Sequence, residues 1–357
     1  MIRDISIQNF RCFENTSISG FKTVNLITGK NNAGKTALLE ALLLGGSPYP
    51  ETLASLKGYR HESEELDKTL PERAWDYLFY NQDKSKIITI ETNTKNISDQ
   101  TNSLFIKIDD NKLIESNKLI DTNKYIDFPS TKSSNLQIES VINKDTFKGK
   151  LIANKEGILG TWFKPLGKDN IPFIPSSFVF SQQQIADEYD KARLSYREKE
   201  VLNGLRIVDS SIDLIEYFGI GSPMLYLTRN NEKRLPLPLF GDAINRITVI
   251  ILSIVNNNSN ILLIDEIENG IHYTNQANLW RVLFHLAKEF NVRIFATTHS
   301  LEMLTAFAKV GLESEFSDLA AHFEMARSVK TGQIIGIKRD METLEYSLSH
   351  DRRVRGE

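Results

Sequence analysis

The chain has 357 residues, enough for one large domain or for two to three small ones with a sizeable buried core. Apolar residues make up 41% and charged residues 25%, which excludes a mainly disordered chain. The formal net charge of −3 excludes a uniformly basic nucleic-acid-binding coat but leaves a local basic patch open.

The cysteine content and the apolar runs predict the cellular setting. Cys12 is the single cysteine, so an internal disulfide is excluded and a reducing, cytoplasmic location is expected. The longest apolar run, residues 247–255, is far shorter than the ~20 residues of a membrane helix. Polar residues interrupt every early apolar run, so no signal sequence is predicted. We therefore expect no membrane partner.

The first half of the chain is predicted to be rich in strands. Apolar and β-branched residues predict strands before Gly29, and residues 37–44 predict a helix that ends at Gly45 and Gly46. Asn, Lys, Asp and Ser become frequent from about residue 81 to residue 170. Short alternating runs in that region predict antiparallel strands with long polar turns, and a partly disordered linker is the alternative.

The second half alternates between helical and strand patterns. The predicted elements are a helical region over 185–217, helices over 241–255, 272–290, 301–310 and 341–348, strands over 261–264 and 293–297, and a hairpin over 323–337. Strands that alternate with helices predict an α/β fold with a mostly parallel sheet.

Residues 29–36 match the phosphate-loop pattern GxxxxGK[ST] in full, between a predicted strand and a predicted helix. Small residues let the backbone turn its N–H groups toward phosphate oxygens, and the helix N-terminus adds partial positive charge. Lys35 is expected to bind the β- and γ-phosphates, and the Thr36 hydroxyl to bind Mg²⁺. The predicted nucleotide-binding residues of the loop are Asn31, Asn32, Ala33, Gly34, Lys35, Thr36 and Ala37.

A buried strand over residues 261–264 is followed by two carboxylates, Asp265 and Glu266. In phosphate-loop proteins one such Asp holds Mg²⁺, so Asp265 is the predicted metal residue. Glu266 is then the candidate general base for the attacking water. Glu268 is interpreted as a structural partner.

The strand over 293–297 is followed by His299. α/β sheets bind ligands at the carboxyl ends of their strands, so His299 is predicted to contact the γ-phosphate or to orient the water. His272 follows the acidic strand, and for this residue a structural role and a functional role are equally open.

Three segments resemble known ATPases. Residues 5–13, ISIQNFRCF, resemble the start of RecF, SMC and OLD-type ABC ATPases. Residues 263–272, LIDEIENGIH, and 296–300, ATTHS, resemble the OLD-like ATPases of bacterial antiphage defence. Asn32 departs from the pattern, since many relatives have Gly there.

The resemblance implies an α/β P-loop NTPase of the ABC-ATPase head type, with a mixed sheet core, an antiparallel β lobe and a helical lobe. The implied domains are an N-terminal ATPase lobe over 1–180 with a β-rich insertion at about 81–170, a helical signature lobe over 181–245, and a C-terminal ATPase lobe over 246–357. The stretch after His299 is too short for a further catalytic domain of ~100 residues, so we expect a head without its own effector.

Further site residues are implied by the resemblance. Arg11 would lie near the nucleotide phosphates. A glutamine after the β-rich lobe would complete the Mg²⁺ shell; Gln182, Gln183 and Gln184 are the candidates, and Gln183 is taken as the ligand.

Gly241 and Asp242 stand where the family has its signature motif, directly before the apolar helix. They would present a helix N-terminus to the γ-phosphate bound by a second subunit. The alternative is a simple helix cap by Asp242.

The predicted function is ATP binding and hydrolysis with Mg²⁺, as a switch or scaffold for a separately encoded effector such as a nuclease or toxin in antiphage defence. The implied assembly is a homodimer or higher homo-oligomer with ATP between the heads. The alternative is a RecF-like clamp that dimerises on DNA. Its candidate basic clusters are Lys57, Arg60 and His61, and Arg352, Arg353 and Arg355. A GTP-using or non-hydrolysing module is the third possibility.

Overall fold

The computed structural model describes residues 2–60, 62–95, 99–109, 133–142, 144–162, 171–177, 180–219, 221–230 and 232–350. The chain divides into two compact units. The first unit contains residues 1–4, 18–39 and 169–357, and the second contains residues 5–17 and 40–168. Each unit draws on separate parts of the sequence, and the lobe boundaries predicted above stay a prediction.

The described residues form strands and helices in the following chain order. The strands are β1 (Ile2–Phe10), β2 (Phe13–Ser19), β3 (Val24–Gly29), β4 (Ile88–Lys95), β5 (Asp99–Ile108), β6 (Ser134–Ile142), β7 (Asp145–Asn154), β8 (Gly157–Trp162), β9 (Phe173–Ile174), β10 (Ile212–Phe218), β11 (Met224–Arg229), β12 (Leu235–Pro236), β13 (Ile261–Ile264), β14 (Arg293–Thr297), β15 (Ala320–Arg327) and β16 (Ile334–Arg339). The α-helices are α1 (Lys35–Gly46), α2 (Pro50–Tyr59), α3 (Glu64–Thr69), α4 (Gln182–Leu194), α5 (Glu198–Val208), α6 (Asp242–Val255), α7 (Tyr273–Glu289), α8 (Leu301–Gly311) and α9 (Met341–Ser349).

The first unit contains a six-stranded mixed sheet in the order β16-β15-β3-β14-β13-β9. The five strands from β15 to β9 run parallel, and β16 pairs antiparallel with β15. Every residue of β13 is buried, as expected for a strand that is covered on both faces. Ile264 lies beside Ala296, and Thr297 lies beside Ile27, so β13, β14 and β3 end at the same edge of the sheet.

The helices of this unit are held together by apolar contacts. The rings of Trp280 and Phe307 lie 4.8 Å apart, and those of Phe284 and Phe316 lie 4.9 Å apart. All four side chains are fully buried, and such aromatic pairs stabilise the core beyond the area they bury. In the part of the chain that the structure describes, no helix has the length and apolarity needed to cross a bilayer.

The second unit contains a seven-stranded sheet in the order β2-β1-β4-β5-β6-β7-β8. Each strand from β4 to β8 pairs antiparallel with the next one in the chain, which confirms the antiparallel prediction for this part of the chain. Residues 110–132, which the linker alternative also concerned, lie outside the described residues.

The helical prediction over 185–217 is wrong in its last part. Helices α4 and α5 occupy the first part, but β10 follows as an edge strand of the antiparallel sheet β10-β11-β12. The Asp209 carboxylate accepts hydrogen bonds from the backbone N–H and the hydroxyl of Ser211, at 3.0 and 2.5 Å. This local turn competes with the helix, so the β-branched and aromatic residues beyond it pair as a strand.

Candidate active site

The loop between β3 and α1 has the backbone geometry of a phosphate loop. Gly29 has φ 145°, and a Cβ atom there would overlap the carbonyl oxygen of Met325 on β15, so only glycine fits. Gly34 has φ 88° and Asn32 has φ 63°. Asparagine is among the few residues that adopt this left-handed conformation readily, which explains how Asn32 replaces the glycine of many relatives.

Lys35 is buried at the start of α1, and its Nζ donates hydrogen bonds to the carbonyl oxygens of Gly29 and Lys30 at 2.9 and 3.0 Å. Burial lowers the pKa of Lys35, and the charges of Asp265 and Glu266 oppose that shift. The ammonium group is therefore held by neutral carbonyls of its own loop, next to acidic residues. The approach of an anion therefore stabilises the buried, charged ammonium group.

Three oxygen-bearing side chains meet at the ends of β13 and β14. The Thr36 hydroxyl donates to the two carboxylate oxygens of Asp265 at 3.2 and 3.0 Å. The Thr297 hydroxyl donates to Asp265 Oδ1 at 2.6 Å and accepts the backbone N–H of Glu266 at 2.8 Å. The structure thus brings the predicted metal residues Thr36 and Asp265 together. Thr297 was not predicted, although its place at the end of the strand beside β13 could have indicated it.

The Glu266 side chain, directly after the buried strand, is partly exposed. Its backbone has φ 47°, a strained conformation for a residue other than glycine. Carboxylate oxygen Oε1 lies 3.9 Å from His299 Nε2, and Oε2 accepts a hydrogen bond from Asn269 Nδ2 at 3.0 Å. Asn269 also donates to the carbonyl oxygen of Ser176 at 3.2 Å. One carboxylate oxygen is therefore oriented by Asn269, and the other faces the imidazole.

Glu268 and the two histidines differ in their surroundings. The backbone N–H of His299 donates to Glu268 Oε1 at 2.7 Å, which supports the interpretation of Glu268 as a structural partner. His272 is exposed at the N-terminus of α7, where its Nδ1 lies 2.9 Å from the Thr274 hydroxyl. These contacts place His299, and not His272, beside Glu266.

The three consecutive glutamines have different partners. Gln184 and Ser181 form a reciprocal capping box at the start of α4. Gln183 is exposed and donates to Asp187 Oδ1 at 2.7 Å on the same helix. Gln182 donates to Asn245 Oδ1 at 3.2 Å, and its own Oε1 is buried without a hydrogen-bond partner. The free buried oxygen makes Gln182 a better candidate than Gln183, whose metal role stays a prediction.

Gly241 and Asp242 are exposed at the start of α6. Gly241 has φ 86° and is the N-cap residue, and no side chain caps this helix. The alternative that Asp242 caps α6 is therefore wrong, because Asp242 is already its first helical residue.

Arg11 belongs to the second unit and is mostly buried. Its Nε donates to Glu40 Oε2 at 3.0 Å, and its Nη1 donates to the carbonyl oxygen of Tyr77 at 3.1 Å. Its Nη2 is buried without a hydrogen-bond partner. The role of Arg11 toward nucleotide phosphates stays a prediction.

The first basic cluster consists of paired charges. Lys57 is buried and contacts Asp67 and Glu62 at 2.8 and 3.1 Å, and Arg60 contacts Glu40 at 2.6 Å. Neither residue presents an unpaired charge, so the DNA-clamp alternative loses this part of its support. The other residues named for that alternative, His61, Arg352, Arg353 and Arg355, lie outside the described residues.

Comparison with known proteins gives a family and a relative. Residues 24–305 match the family described as "AAA domain, putative AbiEii toxin, Type IV TA system". The chain is 30% identical over 346 residues to a Helicobacter pylori protein described as an ATP/GTP phosphatase. That alignment covers 89% of this chain and 90% of the relative.

Two solved structures are also similar. The SMC head domain from Thermotoga maritima is 12% identical, with a TM-score of 0.42 over 95% of this chain and 99% of that chain. An SmcHead bound to the C-winged helix domain of ScpA is 9% identical, with a TM-score of 0.49 over 96% of this chain and 99% of that chain. Both TM-scores are low, so we base no inference on these two structures.

The family match spans most of the chain, and it does not single out the OLD-like ATPases within the broader group. Two features of the structure agree with the family match: the phosphate loop between β3 and α1, and the acidic pair after β13. The chain therefore belongs to the AAA-domain family, with the phosphate loop and acidic strand of a P-loop nucleoside triphosphatase.

Proposed function

We propose that the chain hydrolyses ATP with Mg²⁺ at the edge of the sheet where β3, β13 and β14 end, and that this reaction controls a separate effector protein. The observation that carries the proposal is the buried ammonium of Lys35, whose hydrogen-bond partners among the described residues are carbonyls of its own loop, beside the Thr36–Asp265 pair. The relative described as an ATP/GTP phosphatase supports a nucleoside triphosphate as substrate.

The residues present fit Mg²⁺. Thr36 and Asp265 offer a hydroxyl and a carboxylate, which are hard oxygen ligands, and Gln182 has a free buried oxygen. The described residues contain no group of three or more His, Cys, Asp or Glu that could hold a metal on its own. Mg²⁺ is suited to such a sparse set, because it keeps several waters and binds substrate phosphates. When bound, it neutralises phosphate charge and polarises the phosphoryl oxygen.

Glu266 is proposed as the general base and His299 as a residue that orients the water. A water hydrogen-bonded to both groups needs about 2.8 Å to each, which the separation of 3.9 Å between Oε1 and Nε2 allows. The water oxygen bonds to the γ-phosphorus, the bond from that phosphorus to the β,γ-bridging oxygen breaks, and ADP leaves. The proton of the attacking water passes to Glu266 Oε1, while Asn269 holds Oε2. Lys35 stabilises the negative charge of the transferred phosphoryl group.

The proposal also includes a homo-oligomeric assembly and a partner protein. The exposed start of α6, at Gly241 and Asp242, would face the nucleotide of a second subunit in a homodimer or higher homo-oligomer. The family description names a putative toxin and a Type IV TA system, which supports a link to a toxin. The proposed effector is a separate protein of the toxin or nuclease class in bacterial defence. A cytoplasmic location agrees with a switch of this kind.

Lys35→Ala tests the site, with Lys309→Ala on the exposed face of α8 as the matched control. Loss of a desolvated charged contact costs about 2–5 kcal/mol, so we expect ATP affinity to fall at least ~30-fold in Lys35→Ala. Calorimetric titration with ATP and with GTP measures the loss and gives the nucleotide preference. Unchanged affinity in a folded Lys35→Ala protein would refute the site.

The effector proposal has a separate test. The product of the neighbouring gene is co-expressed with the wild type and with Lys35→Ala, and the complex is measured with and without ATP. A complex whose amount depends on ATP only in the wild type supports a nucleotide-controlled switch. A neighbour that binds neither protein, together with no effect of the gene on phage growth, contradicts it.

A further inference from the structure

Arg246 lies on α6, one helical turn after its start, and reaches the end of β13. Its Nη2 donates to the carbonyl oxygens of Asp265 and Glu266 at 3.1 and 3.0 Å. Burial lowers the pKa of Arg246, while the charges of Glu268, Asp265 and Glu266 oppose the shift. The guanidinium group therefore links α6 to the backbone of both acidic residues.

A second contact joins the same two segments. Gly270, with φ 74°, follows the acidic pair, and a Cβ atom at this residue would lie 3.5 Å from the Cβ of Asp242 and 3.8 Å from its carbonyl carbon. The first turn of α6 is thus packed against the loop after β13. A displacement of this turn would therefore move the loop after β13 through two contacts, that of Arg246 and that of Gly270.

The Glu266 residue is held on both sides of its strained backbone. Its N–H donates to the Thr297 hydroxyl at 2.8 Å, and its carbonyl oxygen accepts from Arg246 at 3.0 Å. Because the direction of a side chain depends on the backbone angles, these two contacts set where the Glu266 carboxylate points. Arg246 Nε and Glu268 Oε2 are both buried without a hydrogen-bond partner, so this side of the loop has unused hydrogen-bonding capacity.

We propose that Arg246 is a positioning residue for hydrolysis, which couples the position of the first turn of α6 to the direction of the Glu266 carboxylate in the same chain. A ligand or second subunit that contacts the start of α6 would thereby change the rate of hydrolysis. The inference rests on the proposed role of Glu266 as general base. It adds the route by which a distinct surface of the chain controls that base.

The experiment compares Arg246→Met and Arg246→Lys with the control Arg206→Met. Arg206 is a matched control, because on α5 it likewise donates to two consecutive backbone carbonyls, those of Ile212 and Asp213, at 2.9 and 2.8 Å. We expect Arg246→Met to lower kcat at least ~10-fold while ATP affinity changes less than ~3-fold, and Arg246→Lys to recover part of the rate. Arg206→Met is expected to keep the wild-type kcat.

A double-mutant cycle separates positioning from a general structural effect. If Arg246 acts through Glu266, adding Arg246→Met to Glu266→Gln lowers the single-turnover rate less than twofold. The same ~10-fold loss in both backgrounds would overturn the proposal, as would a wild-type kcat in Arg246→Met. If Arg246→Met does not fold, Gly270→Ala replaces it, because alanine is strained at φ 74° and therefore perturbs the same loop without removing a charge.

The hydrolysis rate of Glu266→Gln alone distinguishes failure of the proposed base from failure of the proposed role of Arg246. A wild-type rate in Glu266→Gln refutes the base and with it this inference. A slow Glu266→Gln combined with an additive effect of Arg246→Met refutes only the inference.

Discussion

The Thr297 hydroxyl donates a hydrogen bond of 2.6 Å to Asp265 Oδ1, at a point with no exposure to solvent. The same hydroxyl accepts the backbone N–H of Glu266. One buried oxygen thus orients the proposed metal carboxylate and the residue that carries the proposed base. Strand β14 thus contributes the Thr297 side chain to the chemistry at the end of β13.

Thr297→Val removes the hydroxyl and keeps the shape of the side chain. Asp265 Oδ1 and the Glu266 N–H then lose a buried partner, which we expect to cost about 1–3 kcal/mol of the free energy of unfolding. The hydrolysis rate should fall more than ATP affinity, because Lys35 and the phosphate loop are unchanged. Thr297→Ser should keep most of the free energy of unfolding and of the hydrolysis rate, because it keeps the hydroxyl. Urea unfolding and steady-state kinetics measure the two effects; equal rates for Thr297→Val and the wild type would contradict this account.

Gln182→Ala and Gln183→Ala decide which glutamine serves the metal. Gln182 has the buried free oxygen, whereas Gln183 is exposed and bonded to Asp187. We expect Gln182→Ala to raise the Mg²⁺ concentration needed for half-maximal hydrolysis by more than Gln183→Ala does. A larger effect of Gln183→Ala would restore the prediction made from the sequence.

His322 gives the folded state a specific pH dependence. The imidazole is fully buried on β15, and its Nε2 lies 2.8 Å from the Thr28 hydroxyl. Burial, with a smaller effect of Arg339, lowers the pKa of His322 from 6.5 to about 3. The unfolded chain therefore binds a proton below pH 6.5 that the folded chain rejects, so the contribution is full above pH 6.5 and is lost as the pH falls toward 3.

His322→Gln tests this dependence. For each pH unit below 6.5, His322 lowers the free energy of unfolding of the wild type by about 1.4 kcal/mol. Between pH 7.5 and pH 5, we expect the wild type to lose about 2 kcal/mol more than His322→Gln in urea unfolding. Equal losses in the two proteins would show that His322 is protonated in the folded state or does not titrate on unfolding.

The sequence predicted the parts of the site that are contiguous in the chain. The phosphate loop and the acidic pair have patterns set by local backbone geometry, and the strands over 261–264 and 293–297 agree with β13 and β14 residue by residue. The contacts of Thr297 and Arg246 were not predicted, because they join residues 32 and 19 positions apart from Asp265. The register of β13 against β14 decides the contact of Thr297, and the packing of α6 beside the end of β13 decides the contact of Arg246.

The strand β10 shows why part of the fold was not predictable. Its charged and apolar residues continue the pattern of α5, and the side-chain turn at Asp209 that ends the helix depends on only two residues. Burial of Ile212 and Ile215 against the core then selects the strand, which is a tertiary effect.

Glu266→Gln tests the central claim most directly, with Glu289→Gln at the exposed end of α7 as the matched control. The substitution keeps the size of the side chain and leaves Lys35, Thr36 and Asp265 to bind ATP and Mg²⁺, but it removes the group that accepts the proton. We expect hydrolysis to slow by about 10²–10⁴-fold and ATP to stay bound. In the proposed homo-oligomer, bound ATP holds subunits together, so adding ATP should raise the measured molecular mass. This rise should persist in Glu266→Gln and decay in the wild type as ATP is hydrolysed. Hydrolysis by Glu266→Gln at the wild-type rate would contradict the account and place the base elsewhere, with Glu268 and His299 as the next candidates.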